Sequence, residues 1–323
     1  ETPYPQLALS GGGSFGAFGA GFLGGWTATG RRPVFKIVTG VSTGALMAPF
    51  AFLGPRYDDA LKRLYTTTTR ADVLAGFSAA GVVFRHDSLA RSEPLAALIE
   101  RHVDASLLAE IAAAHRNGRR LYIGTANLDA RAFVVWNMGL IATHADMRAL
   151  ELFRTIMLAS SSVPVVFPPV LVEVEAGGKP YDEMHVDGFI GANVFVNVGV
   201  LDTSRLYPAA GRLQARDEIF VIHTGQPDPP PQPAARSFRG IATRVIESSG
   251  RSTIIGDLYR EYAFARRNGS AFHWVTIERG MELGDPLAFD PVEMRRLFEL
   301  GERDARRGPV WYTLPPGIGG EVR

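Results

Sequence analysis

The sequence predicts an α/β fold in which a mostly parallel sheet is covered by helices on both faces. Three observations carry this: short apolar runs alternate with longer helix-compatible stretches, the runs read as buried strands, and glycine-rich turns sit where a strand hands over to a helix. Residues 6–10 are the first strand, followed by the loop Gly11-Gly12-Gly13-Ser14-Phe15-Gly16 and a helix over 17–26. A second strand over 34–39 leads to a buried helix over 45–53. The chain from Asp58 to Asn117 is largely helical: Ser92-Glu93-Pro94 opens one helix, and Asp104 caps another that stops at Gly118. Residues 121–127 and 132–137 pair around a polar turn. A helix over 145–159 empties into Ser160-Ser161-Ser162-Val163-Pro164, a run over 165–174 follows, and Gly177-Gly178 turns the chain into 181–186. Residues 218–225 read as another buried strand and 227–233 as a proline-rich loop. Beyond it come a helix over 237–267, a strand over 271–277, and a last helix that Asp290-Pro291-Val292-Glu293 opens with cap, N1 proline and capping glutamate together.

Composition excludes several classes of chemistry. A chain of 323 residues supports a sizeable core. With 34 basic against 33 acidic residues, it has no bulk charge with which to hold nucleic acid. There is no cysteine, so thiol catalysis, thiolate metal sites and disulfides are ruled out. No apolar run reaches the roughly 18 residues of a transmembrane helix. A numbering that opens at Glu1 is compatible with a soluble or peripheral protein whose export signal, periplasmic or lipid-anchored, has been removed.

Two glycine motifs carry candidate chemistry. Gly40-Val41-Ser42-Thr43-Gly44 fits Gly-x-Ser-x-Gly between a strand and a helix. Its glycines remove side chains that would clash in a sharp turn, leaving the Ser42 hydroxyl at a helix N-terminus, as a nucleophile elbow requires. Alone, the pentapeptide is equally a turn that holds a serine. The upstream loop can turn backbone N–H groups toward an anion, and it also fits the dinucleotide pattern Gly-x-Gly-x-x-Gly. That rival wants an acidic residue about 20 positions on, yet no Asp or Glu occurs between Thr2 and Tyr57. Arg31 and Arg32 could instead meet a 2′-phosphate, which keeps a nucleotide- or nicotinamide-binding protein as the alternative. His86, His102 and His115 lack the His-Glu-x-x-His spacing of a zinc helix.

A glycine loop, Gly-x-Ser-x-Gly, Ser-Ser-x-x-Pro with a Phe-Pro-Pro run, and then Asp187-Gly188 follow one another in an order that resembles the patatin-like phospholipase family, bacterial branch. The resemblance covers roughly residues 7–225. It implies a three-layer α/β/α sandwich with a mostly parallel central sheet. The chain would be a single catalytic domain over 1–323, with a C-terminal extension, 226–323, packing on it. It further implies hydrolysis of fatty acyl esters in lipids through an acyl-enzyme, with Ser42 as nucleophile, Asp187 as its base, no histidine and no metal or cofactor. Gly11, Gly12 and Gly13 would line the oxyanion hole. The partner would be a lipid, met in transient contact with a membrane surface. Two departures bear on rate and head group: Phe15 stands where many members carry Arg or Lys, and Phe189 follows the Asp-Gly pair. A catalytically silent binding module on the same fold is a further alternative.

The chemistry sets its own conditions. An aspartate near pKa 3.9 is a weak base, so Asp187 must be desolvated to serve. A conventional triad is the rival, with His185 on the same strand face as Asp187 and His223 at a strand end. Apolar residues 47–53 and 15–26 beside the serine could line an acyl-chain groove, but such helices ordinarily face the core, and only some of these residues are expected to reach a ligand.

Overall fold

The computed structural model describes residues 2–76, 90–196, 215–231 and 233–318. Its strands are β1 (Thr2–Leu9), β2 (Ile37–Gly40), β3 (Arg120–Asn127), β4 (Ala132–Asn137), β5 (Val170–Ala176), β6 (Lys179–Asp187), β7 (Ala215–Ile222) and β8 (Ala271–Val275). They form one sheet in the order β5-β6-β3-β2-β1-β7-β8, with β4 also on β3. From β3 to β8 every pairing is parallel, whereas β4, β5 and β6 join antiparallel. The helices are α1 (Gly16–Ala28), α2 (Thr43–Leu53), α3 (Asp58–Thr67), α4 (Arg70–Val73), α5 (Glu93–His102), α6 (Ala105–Arg116), α7 (Met138–Ala142), α8 (Met147–Ser160), α9 (Phe238–Asn268) and α10 (Pro291–Arg306).

Alternation along the strands divides the core. In β1, Leu7 and Leu9 face the cluster built with α1, α2 and α10, while Ala8 faces the opposite cluster with Ile254, Leu258 and Ala265 of α9. Helices therefore cover both faces, giving the three-layer α/β/α sandwich. Residues 226–318 contribute β8 to the sheet, α9 to one face and α10 to the other. α10 lies close along α1, where a Cβ on Gly21 or Gly25 would run into the carbonyls of Phe298 or Glu302. The glycines that weaken α1 as an isolated helix thus permit its closest packing.

Several boundaries differ from expectation, each for a local reason. β1 begins at Thr2, although Pro3 and Pro5 argue against a strand. The Pro5 carbonyl accepts the Lys36 N–H, which places Pro5 on the β2 side, and β2 pairs with β1 only from Gln6 onward. The missing proline donors cost no ladder bond there. β2 starts at Ile37 rather than Val34, which is solvent-exposed. The run over 165–174 is strand only from Val170, since Pro168-Pro169 cannot donate to a ladder. The short helix α7, capped by Asn137, is an addition. β8 ends at Val275.

Candidate active site

One strand edge brings the two candidate catalytic residues together. Along β3, the pairings with β4 overlap those with both β2 and β6, so β2 and β6 share the other edge. β2 ends with Gly40 opposite Ile123, and two residues further along Asp187 sits opposite Thr125. The turn holding Ser42 leaves the sheet between those two points. A separation of 145 positions in sequence therefore closes on the edge of β3, which lies between the two residues in the chain.

The turn itself is strained as an elbow should be. Ser42 has φ 56 and ψ −127, a conformation that costs a non-glycine residue about 1–3 kcal/mol. Its neighbours allow it: a Cβ on Gly40 would strike the Gly44 carbonyl, and one on Gly44 the Leu9 carbonyl. Two serines and a tyrosine hold it in place. Ser42 N–H donates to Ser160 Oγ at 3.0 Å, Ser160 Oγ donates to the Gly124 carbonyl at 2.7 Å, and Ser161 Oγ donates to the Ser42 carbonyl at 3.3 Å. The buried Tyr65 hydroxyl lies 2.8 Å from Thr43 Oγ1 and donates to the Thr43 carbonyl at 2.9 Å, fixing the first turn of α2. Burial raises its pKa, so it stays a neutral phenol.

Asp187 is fully buried. Its N–H donates to the Ser162 carbonyl at 2.9 Å, and its Oδ1 accepts the Phe189 N–H at 3.1 Å. Its Oδ2 has no hydrogen-bond partner. Desolvation pushes the pKa up to about 7, opposed by the nearby Ser42 hydroxyl and the Phe189 N–H. The Ser42 hydroxyl is thus near enough to act on the carboxyl but makes no closed hydrogen bond to it, the loose geometry common in resting sites.

The glycine loop divides its tasks. The Gly11 N–H donates to Asn193 Oδ1 at 2.7 Å, so Gly11 lines the site without offering a donor. A Cβ there would lie 3.0 Å from Ser42 Cβ. Among the described residues, the N–H groups of Gly12 and Gly13 donate to no protein group. Thr224 packs where a Gly12 Cβ would be and Pro286 where a Gly13 Cβ would be, and the Ser14 N–H donates to the Pro286 carbonyl at 2.9 Å. Gly188 is needed for space as well, since a Cβ would press on the Gly124 carbonyl.

From Ser42 and Gly13 an apolar cavity of about 50 Å³ runs between Leu46, Leu64, Leu98, Phe167 and Phe289. None of the residues lining it is charged. Residues 47–53 and 15–26 are core, as such apolar helices ordinarily are, and of α2 only Thr43 and Leu46 reach the cavity. Phe15 is buried in that core, and Phe189 packs against α9 at Gly250.

Neither rival histidine is placed as the base. The ring of His185 lies between Thr125 Oγ1 at 2.9 Å and Glu183 Oε2 at 3.2 Å. Nδ1 of His223 faces Thr276 Oγ1 at 2.9 Å, and burial lowers its pKa to about 4. His102 and His115 lie on α5 and α6, and His86 falls outside the described residues. Among the described residues no group of three His, Asp or Glu could hold a metal ion. Arg32 pairs with Asp58 at 2.7 Å and donates to the Ala51 carbonyl at 3.1 Å.

Sequence reasoning missed Asn193 and its support. The buried Asp257 of α9 accepts the N–H groups of Asn193 at 2.6 Å and Val194 at 3.1 Å and pairs with Arg260. The Ser-Ser-x-x-Pro segment was visible as a motif, but its part in holding the elbow was not.

The family model described as patatin-like phospholipase matches residues 7–199. Among solved structures, the chain is similar to VipD from Legionella pneumophila, with 11% identity and a TM-score of 0.41 over 94% of this chain and 66% of that one. It is also similar to the type III effector protein ExoU, with 13% identity and a TM-score of 0.29 over 94% of this chain and 52% of that one. The chain thus spans less than two thirds of the length of either. No curated protein matches it.

Proposed function

Because the chain belongs to the patatin-like phospholipase family, we propose that it is a serine lipid acyl hydrolase of the phospholipase A or carboxylesterase type, working through a Ser42–Asp187 dyad. Family membership supports lipid hydrolysis as the class of activity. The dyad rests on one observation: a buried Asp187 with an unpartnered Oδ2 beside the elbow hydroxyl and a pKa near 7.

In this reading an acyl chain enters the cavity below Ser42, and its ester carbonyl lies between Ser42 Oγ and the N–H groups of Gly12 and Gly13. Asp187 takes the Ser42 proton as Oγ attacks, and the two N–H groups together with the adjoining helix N-terminus stabilise the oxyanion. Collapse of the tetrahedral intermediate releases the alcohol, which takes the proton from Asp187. Water, activated by the same carboxylate, then hydrolyses the acyl-enzyme and frees the fatty acid. The wholly uncharged lining suits an apolar acyl group rather than a charged one.

The nucleotide-binding alternative loses its support. Thr224 and Pro286 fill the space around the glycine loop. Arg32 follows the C-terminus of α1, about 20 Å along the 13-residue helix from that loop.

The test is covalent labelling by a fluorophosphonate probe, run with hydrolysis of esters of graded acyl length and of a phospholipid. Wild type should label and turn over, Ser42→Ala should do neither, and Asp187→Asn should lose turnover. A wild type that fails to label would refute the proposal, and one that labels without hydrolysing anything would favour a silent binding module.

A further inference from the structure

We propose that the N-terminal half of α9 is an arm that lays the active-site edge of the protein on an anionic lipid surface. The choice of occupant rests on the lipid-hydrolase reading above; the arm itself rests on the geometry of one helix. α9 has 31 residues and is therefore about 46 Å long, whereas the adjoining strand β8 has five and spans about 17 Å. The helix connects directly to the start of β8, and toward its N-terminus Gly250 meets Phe189, two residues past Asp187. It thus runs antiparallel to the parallel strands and overshoots the sheet at the edge that carries Ser42 and Asp187.

Burial along α9 marks the overshoot. Ile254, Leu258 and Ala265 enter the core, while none of residues 240–253 is buried. Arg251 anchors the base of the arm, donating to the Pro227 carbonyl at 2.6 Å and pairing with Asp228 at 2.7 Å. Beyond that anchor, Ile241 and Val245 are 56% and 61% exposed. An i, i+4 pair shares one face of a helix, so the two form a single apolar spot. Val165 and Ile190, 38% and 39% exposed, belong to the turns beside Ser162 and Asp187 at the same edge.

Charge selects the occupant. Residues 234–249 hold Arg236, Arg239 and Arg244 against Glu247 alone, which pairs with Arg244 at 3.5 Å, so the segment keeps a net positive charge within a chain whose charges otherwise balance. Exposed aliphatic side chains beside arginines on a surface helix suit the interfacial region of a membrane, where apolar burial and attraction to anionic headgroups add. Each arginine near such a surface strengthens binding by about five-fold.

The experiment is co-sedimentation of the full chain with phosphatidylglycerol vesicles and with phosphatidylcholine vesicles. Wild type and Ser42→Ala should both bind the anionic vesicles at least ten-fold more tightly than the neutral ones, and less tightly at high salt. Arg236→Gln/Arg244→Gln and Ile241→Ser/Val245→Ser should each weaken binding ten-fold or more. Both double variants should hydrolyse a soluble short-chain ester at the wild-type rate, which also shows that they fold. Unchanged binding in both double variants, or equal binding to both vesicle types, would overturn the proposal. So would a dimer in the absence of lipid that Ile241→Ser/Val245→Ser dissolves, since the occupant would then be a second copy. Vesicle binding with the expected pattern by a wild type that hydrolyses no ester would uphold the arm and refute the Ser42–Asp187 reading, so the two fail separately.

Discussion

Asp187 and His223 are both buried at the active-site edge of the sheet, and burial moves both toward their neutral forms, in opposite directions: the carboxyl up to about 7 and the imidazole down to about 4. Protonation alone would make either a usable base near neutral pH. Geometry separates them. The imidazole Nδ1 lies against Thr276, and the ring fills space left by Gly225, whose Cβ would stand 3.0 Å from Nε2. The carboxyl lies near the Ser42 hydroxyl and keeps one oxygen, Oδ2, without a hydrogen-bond partner. Desolvation makes the buried carboxylate a stronger base and the buried imidazole a weaker one, and an unpartnered oxygen near the candidate nucleophile leaves that basicity free to act.

Breaking each partner in turn gives the largest expected contrast. Asp187→Asn should lower kcat on a soluble ester by about 10⁴-fold, the scale on which removing a nucleophile's supporting residue acts in serine hydrolases. His223→Gln and His185→Gln should each cost less than ten-fold. If either histidine variant fell by several orders of magnitude, the base would be an imidazole after all.

A second contrast lies within the glycines. Gly12→Ala places a methyl group against the Thr224 carbonyl and displaces a free N–H, whereas Gly24→Ala on α1 meets nothing. Losing one oxyanion donor costs about 10²–10³ in kcat, so Gly12→Ala should lose that much with little change in KM, and Gly24→Ala should be unaffected. Equal, small effects would remove the loop from the oxyanion hole.

The two buried groups also predict different pH profiles. A base must be ionised to accept a proton, so with Asp187 in that role kcat/KM should climb about ten-fold per unit below pH 7 and level off above it. With His223 as base, the profile would already be flat from about pH 5 upward.

How much of this was legible from sequence depended on the range of the interactions. The elbow could be read because its requirement is steric and lies within five residues, and the cap at Asp290 because it lies within four. The first half of β1 could not, because two prolines suppress a strand signal whose cost vanishes only once β2 is known to start late. Ser160, Asn193 and Asp257 were beyond reach: their partners Ser42, Gly11 and Asn193 stand 118, 182 and 64 positions away. An apolar helix beside the serine reads alike in sequence whether it faces the core or a cavity, and the core, the commoner outcome, is where residues 47–53 lie. Only Leu46 and Thr43 of α2 turn toward the cavity.

The smallest effect, on thermal stability, sharpens the contrast most. An aspartate that titrates at about 7 when folded and near 3.8 when unfolded releases its proton more readily from the unfolded chain. Wild-type stability therefore falls as pH rises from about 4 to 7, and the loss persists above 7. Asparagine cannot ionise, so the melting temperature of Asp187→Asn should gain on wild type through that window and hold its advantage at pH 8. His223 has the opposite sign: folded at about 4 against 6.5 unfolded, it withdraws stability as pH falls from 6.5 to 4, and His223→Gln should gain only on that acid side. Melting curves at pH 4.5, 6 and 8 separate the two through their slopes, whatever constant offset each substitution adds. Parallel curves for either variant and wild type would mean that its side chain is not buried in the ionisation state its surroundings impose, and for Asp187 that would also take away the source of its basicity.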